Sequence, residues 1–280
     1  MQISIEALTD ILDVQRDNQP LIHCISNLVT INDLAQSILC YNGKPIIAHG
    51  IEEVNEVACN AKGLLLNLGT LDSNRVEAME KSLKATRKKN IPVLLDIEGI
   101  DMSFFRRQTT LSFLTRYNID ILKGKLSEFK RLVKTDNVSN TDSKDITMIG
   151  NHKIRSEIKE IARKFRNILV VIDEECYVTD GFSEFFIMNG DKKFRNILGI
   201  DSIFNGAIAT GMALANTKAE MIRYILISIT IIGVCEELVI QKKKESDGLF
   251  TLKQHLLDEI YNIKKEDLNK MGNIIYEFKR

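Results

Sequence analysis

Short apolar runs recur along this chain, each closed by a polar segment and followed by a longer amphipathic stretch, and this alternation constrains the fold more than any other feature. Runs of that length, bounded by turn residues, read as strands buried on both faces, and the intervening periodicity reads as covering helices. The strand candidates are Leu21–Cys24, Pro45–Ala48, Gly63–Leu66, Val93–Leu95, Ile119–Leu122, Leu169–Ile172 and the pair Tyr177–Thr179 and Glu184–Met188. Helical spacing is expected over Asn27–Leu39, Asp72–Lys88, Ser103–Arg116 and Lys153–Phe165, with Asp72 and Ser73 as capping residues. Asp180-Gly181 predicts a hairpin, and from Ile200 onward the pattern is almost wholly helical: Ile200–Ala215, Ala219–Lys242, Leu249–Ile260 and Lys265–Lys279. The class expected is therefore α/β, a mainly parallel sheet covered by helices.

Composition narrows the functional classes. Lys+Arg and Asp+Glu each number 38 in the 280 residues, so the basic excess of a nucleic-acid surface is missing and no nucleic-acid partner is expected. The longest apolar run, Tyr224 to Cys235, is too short for a membrane span and ends in Glu236-Glu237; it reads as a buried helix, with no membrane partner. Five scattered cysteines without C-x-x-C spacing point to reduced thiols in a cytoplasmic protein. The polar stretch Thr135 to Asp145 reads as a surface loop, leaving residues 1–280 as one domain.

In open α/β sheets ligands bind beyond the carboxyl ends of the strands. Here those positions are polar throughout: His23-Cys-Ile-Ser-Asn27, His49, Asn67-Leu-Gly-Thr70, Asp96-Ile-Glu-Gly99, Lys123-Gly-Lys-Leu-Ser-Glu128 and Asp173-Glu-Glu175. Any one of them can be explained as a helix cap or a satisfied loop residue; their joint placement argues for a site. His23 and His49 read as structural, and Cys24 as a small buried hydrophobe.

Taken in order, with Lys44-Pro-Ile-Ile-Ala-His49, Leu66-Asn-Leu-Gly-Thr-Leu71, Val178-Thr-Asp-Gly181 and Asn189-Gly190, these segments resemble the hydroxyethylthiazole kinases of thiamine salvage, a branch of the ribokinase-like superfamily. The resemblance implies a three-layer α/β/α fold, a homotrimer with sites between subunits, and ATP-dependent phosphorylation of a small-molecule thiazole alcohol with Mg2+ as cofactor. It places Asn27, Ile47 and Gly199 at the thiazole, Lys123 and Asp173 at ATP, Asp96 and Glu128 at the metal, and Asp201 and Ser202 at the catalytic position.

Several of these positions depart from the family pattern. The Gly-x-Gly-Cys anion cradle is Gly199-Ile-Asp-Ser202, the Asn-x-x-Glu metal motif is Lys125-Leu-Ser-Glu128, Lys123 replaces an arginine, Asp173 a threonine, and Ile47 a methionine. Three readings of Asp201 follow: the base that activates the alcohol, a carboxylate that repels phosphate, or, with Ser202, a plain helix cap. Lys125 either contacts phosphate in place of part of the metal's charge or pairs with Glu98 or Glu174. The corresponding functions are a thiazole kinase, or a degenerate homologue that binds a small molecule or a partner without catalysis.

Overall fold

The protein is seen in a computed structural model that describes residues 4–133 and 148–278, so the loop expected at 135–145 lies outside the described residues. The strands are β1 (Leu21–Ile25), β2 (Lys44–Ile47), β3 (Gly63–Asn67), β4 (Val93–Asp96), β5 (Ile121–Gly124), β6 (Ile168–Ile172), β7 (Cys176–Thr179), β8 (Ser183–Ile187) and β9 (Ile274–Phe278). They form one sheet in the order β2-β1-β3-β4-β5-β6-β7-β8-β9. β1 to β6 run parallel, with Cys24 opposite Ile47 on one side and Leu65 on the other, while β7, β8 and β9 are antiparallel.

The helices are α1 (Ile5–Asp17), α2 (Ile31–Cys40), α3 (Val54–Asn60), α4 (Ser73–Lys89), α5 (Phe104–Arg116), α6 (Leu126–Val133), α7 (His152–Phe165), α8 (Ile200–Met212), α9 (Lys218–Lys242), α10 (Leu249–Asn262) and α11 (Lys265–Met271). Side chains alternate across the sheet, as the pleat requires. Cys24, Leu65, Leu94, Ile121 and Val170 meet Leu34, Phe204, Ile229 and Leu256 from α2, α8, α9 and α10. Ile25, Leu66, Leu95, Leu122 and Val171 meet Met79, Phe113, Phe129 and Ile158 from α4 to α7. Three layers result, because each central strand is apolar on both faces.

Three helices, α1, α3 and α6, were not marked by the sequence pattern, and the expected helix Lys265–Lys279 is shorter: it stops at Met271 and the chain returns as β9 beside β8. Gly272 ends the helix, and Ile274 and Tyr276 turn into the core. α9 has the length and composition to cross a membrane, but 78% of its most apolar window is buried inside the fold, mainly against α8 and α10. It is a core helix, as the apolar run Tyr224 to Cys235 led one to expect.

The chain passes from β1 outward to β2 and returns to β3 on the other side of β1. Such a reversal opens a crevice at the carboxyl ends of the strands.

Candidate active site

The carboxyl ends of five strands, β1, β3, β4, β5 and β6, and the first turn of α8 converge on that crevice. Asp96, the last residue of β4, accepts Lys123 Nζ at 3.0 Å, Asn67 Nδ2 at 3.1 Å and Asn205 Nδ2 at 2.6 Å, all on Oδ2. Both Asp96 and Lys123 are buried. Burial alone would strip the charge from Lys123, but Asp96 and Asp201 outweigh it and hold the ammonium above its ordinary pKa. Asn205 lies one helical turn after Asp201 on α8, and that i, i+4 spacing is the signal by which the sequence could have revealed it.

Asp201 bridges the two lysines, with Oδ1 at 3.6 Å from Lys123 Nζ and Oδ2 at 3.4 Å from Lys125 Nζ. Burial would raise its pKa, yet the two ammonium groups win and keep the carboxyl below the usual range. Neither Asp201 nor Ser202 caps the helix, contrary to the third reading above: the N-cap is Gly199, at φ 96°. A Cβ there would lie 2.0 Å from Asp33 Oδ2, so glycine is required by both torsion and space. Asp33 is itself fixed by Lys253 at 2.9 Å, which also donates to the Leu198 carbonyl.

Lys125 pairs with neither Glu98 nor Glu174, as one sequence reading proposed, but with Asp201. Glu128, in the first turn of α6, accepts the backbone N–H groups of Gly99 at 2.5 Å and Lys125 at 2.7 Å; burial, then nearby Asp96, pushes its carboxyl up to about 8. Asp173 accepts from Leu126 N at 3.3 Å and so sits at the start of the same helix.

On the other side of the crevice Asn27 Oδ1 accepts from Val29 N, Thr30 N and Thr30 Oγ1, the last at 2.9 Å. Thr30 Oγ1 lies 2.6 Å from Ser202 Oγ. Because an amide oxygen can only accept, the Thr30 hydroxyl spends its proton on Asn27, and Ser202 must donate to Thr30. Ser202 is therefore a buried, fixed hydroxyl. Thr30, which joins the two loops, was missed by sequence reasoning; nothing in its spacing announces a partner 172 residues away. Asn27 Nδ2 donates to Glu98 Oε2 at 2.9 Å, and Asn67 Nδ2 donates to the same oxygen at 2.8 Å.

Ile47 ends the edge strand β2 and is 42% exposed, with Leu28 and Val29 exposed beyond the neighbouring β1. His23 is buried on the Ala48 carbonyl at 2.8 Å, and burial lowers its pKa, which suits a structural role. All five cysteines are free, and burial pushes the Cys24 thiol up. The structure thus brings Asn27, Lys123, Asp96, Glu128, Asp173, Gly199, Asp201 and Ser202 to one end of the sheet, with Ile47 at its rim.

Comparison with known proteins agrees with this arrangement. The hydroxyethylthiazole kinase of Clostridium perfringens strain 13 is 32% identical over 268 residues, covering 95% of this chain and all of that protein. Among solved structures, a hydroxyethylthiazole kinase protein from Pyrococcus horikoshii OT3 superposes with a TM-score of 0.81 at 23% identity, covering 96% of this chain and 98% of the other. A ribokinase-like superfamily protein from Enterococcus faecalis V583 gives 0.56 at 13% identity over 91% and 94% of the two chains. These two fix the fold as ribokinase-like. With a match to the family model for the Hydroxyethylthiazole kinase family over residues 12–266, almost the whole of the sheet and the crevice included, the chain belongs to that family.

Proposed function

We propose that the protein transfers the γ-phosphoryl group of ATP to the primary alcohol of 4-methyl-5-(2-hydroxyethyl)thiazole. Family membership supports kinase chemistry of this thiamine-related kind, with ATP and a divalent metal as its general requirements. The observation that carries the reading in this chain is the continuous link Asn27–Thr30–Ser202, which ties the acceptor loop to the first turn of α8. An alcohol held by that loop would lie beside the first turn of α8, and a helix N-terminus is where phosphoryl charge is stabilised.

The remaining roles follow from charge and exposure. Ile47, with Leu28 and Val29, forms an apolar wall for the thiazole, and Gly199 lets the start of α8 pack closely against Asp33 beside it. Lys123 and Lys125 present positive charge to the phosphates, and Asp173 fixes the start of α6 beside them. Magnesium suits Asp96, whose three side-chain donors all occupy Oδ2 and leave Oδ1; Glu128, with both oxygens on backbone amides, acts through water. Among the described residues no group of three His, Cys, Asp or Glu side chains gathers, which fits a metal held by one or two carboxylates, nucleotide oxygens and water. When bound, it neutralises phosphate charge. The exposed wall at Ile47, Leu28 and Val29 supports a homotrimer in which a neighbour covers the acceptor site, and free thiols suit a reducing, cytoplasmic setting.

One observation favours the second reading, a binder without catalysis: Asp201 already fills the space between the two lysines. Thiazole-dependent release of ADP from Mg·ATP, measured in a coupled assay, decides between them. Turnover supports the kinase; a melting-temperature rise with thiazole alone, and none with Mg·ATP, supports the binder. Sedimentation at micromolar concentration tests the trimer, and a stable monomer would remove it.

A further inference from the structure

The carboxylates at the carboxyl end of the sheet differ in what holds them. Asp96 is bound by a lysine and two amides, Asp201 by two lysines, and Glu128 and Asp173 by backbone N–H groups. Glu98 alone of these takes only neutral side-chain amides, Asn27 and Asn67, and both donate to Oε2. No described donor is bonded to its Oε1, and no described Lys or Arg lies within ion-pair distance of the carboxylate; Arg106 reaches only the Glu98 main-chain carbonyl. The side chain is half-buried, and its position depends on Gly69, where a Cβ would come within 2.8 Å of Oε2.

We propose that Glu98 is a catalytic and specificity-determining residue of the acceptor site: Oε1 accepts the hydrogen bond of the substrate's primary alcohol and then takes its proton. The proposal deepens the kinase reading and rests on it. Asn27 and Asn67 hold the carboxylate through Oε2, so that Oε1 keeps its capacity to accept a hydrogen bond beside the Asn27 loop. In the step, the alcohol oxygen forms a bond to the γ-phosphorus of ATP while the bond from that phosphorus to the β,γ-bridging oxygen breaks. The hydroxyl proton passes to Glu98 Oε1, ADP leaves with the bond's electron pair, and Glu98 returns the proton to water. No other reactant is needed. Asp201, neutralised by two ammonium groups, faces the phosphate side and is the poorer acceptor for this proton.

Glu98→Gln is a sharp probe because both asparagines need an acceptor at the Oε2 position. The glutamine must place its carbonyl oxygen there, which puts an NH2 donor where Oε1 was, at unchanged volume. Calorimetry compares the hydroxyethyl thiazole with its 5-ethyl analogue, which lacks the hydroxyl, on the native protein and the variant. The native protein should prefer the alcohol by tenfold or more, and Glu98→Gln should cut that preference at least threefold, because a neutral amide that donates to the hydroxyl replaces a charged acceptor; turnover should fall by roughly 10²–10⁴-fold at unchanged affinity for Mg·ATP. An alcohol-to-ethyl ratio within twofold of native, or turnover within threefold, overturns the proposal. If the native protein binds both thiazole and ATP but shows no turnover, the kinase reading fails while the binding ratio still decides whether Glu98 recognises the hydroxyl. If it binds no thiazole at all, both fail together.

Discussion

Asp201→Asn should tighten the binding of Mg·ATP. In the native protein the Asp201 carboxylate lies between Lys123 and Lys125, at 3.6 Å and 3.4 Å, in the first turn of α8 where phosphate is expected. A phosphate oxygen in that space would approach the carboxylate to ~4 Å, a repulsion of about 4 kcal/mol for unit charges at an effective dielectric of 20. The Asp201 side chain is 34% exposed, so solvent and salt screen much of this. A net gain of roughly 1.4–2.7 kcal/mol remains, and it includes the release of both lysines toward the nucleotide; it corresponds to a 10- to 100-fold lower Kd. Isothermal titration calorimetry of Mg·ATP, at two salt concentrations, measures it directly, and the gain should shrink as salt rises. Unchanged affinity together with a turnover loss of a hundredfold or more would refute the reasoning and make Asp201 the base.

Ile47→Asp should abolish thiazole binding in calorimetry while leaving the melting temperature of the free protein within a few degrees, because Ile47 is 42% exposed on an edge strand. Lys123→Met leaves Asp96 buried without a counter-charge, and urea denaturation should show a loss of about 3–5 kcal/mol; a native midpoint would mean that Asn67 and Asn205 suffice. Glu236, fully buried in α9, is pushed up to about 7 by burial, which outweighs its pairing with Arg195 at 3.2 Å. The native state thus holds a proton that the unfolded chain has released between pH ~4.5 and 7, so stability falls as pH rises through that window, by about 3 kcal/mol in all, and Glu236→Gln should flatten the slope.

The sheet was legible in the sequence because β3, β4 and β6 are buried on both faces and leave uninterrupted apolar runs. α3 was not legible, because seven residues are too few to establish a helical period. β9 was hidden for another reason: Ile274 and Tyr276 continue an apolar spacing that also fits a helix, and only pairing with β8, some ninety residues earlier in the chain, makes it a strand. The site was legible in part. Topology forces residues after parallel strands to one end of the sheet, so Asn27, Asp96, Lys123 and Asp173 could be named from position. Their partners could not, because these depend on which rotamer crosses which loop: Asn27 and Glu98 are separated by 71 residues, and Thr30 and Ser202 by 172.

Two carboxylates of the site, Glu98 and Asp201, illustrate what position alone leaves open. From the sequence, Glu98 and Asp201 are two acids of one site, Glu98 after β4 and Asp201 at the start of α8. The structure separates them by their partners. Asp201 is surrounded by ammonium groups, which hold it ionised and weaken it as a proton acceptor. Glu98 is held by two uncharged amides on one oxygen, and its other oxygen takes no donor among the described residues. Paired acids in contrasting surroundings take different roles, and here the contrast runs across the crevice, from the phosphate side at α8 to the alcohol side at Asn27. A base displaced from the α8 turn to the β4 loop keeps the proton path away from the cradle, so the cradle can carry Asp201 and Ser202 in place of glycine and cysteine without losing the group that activates the alcohol.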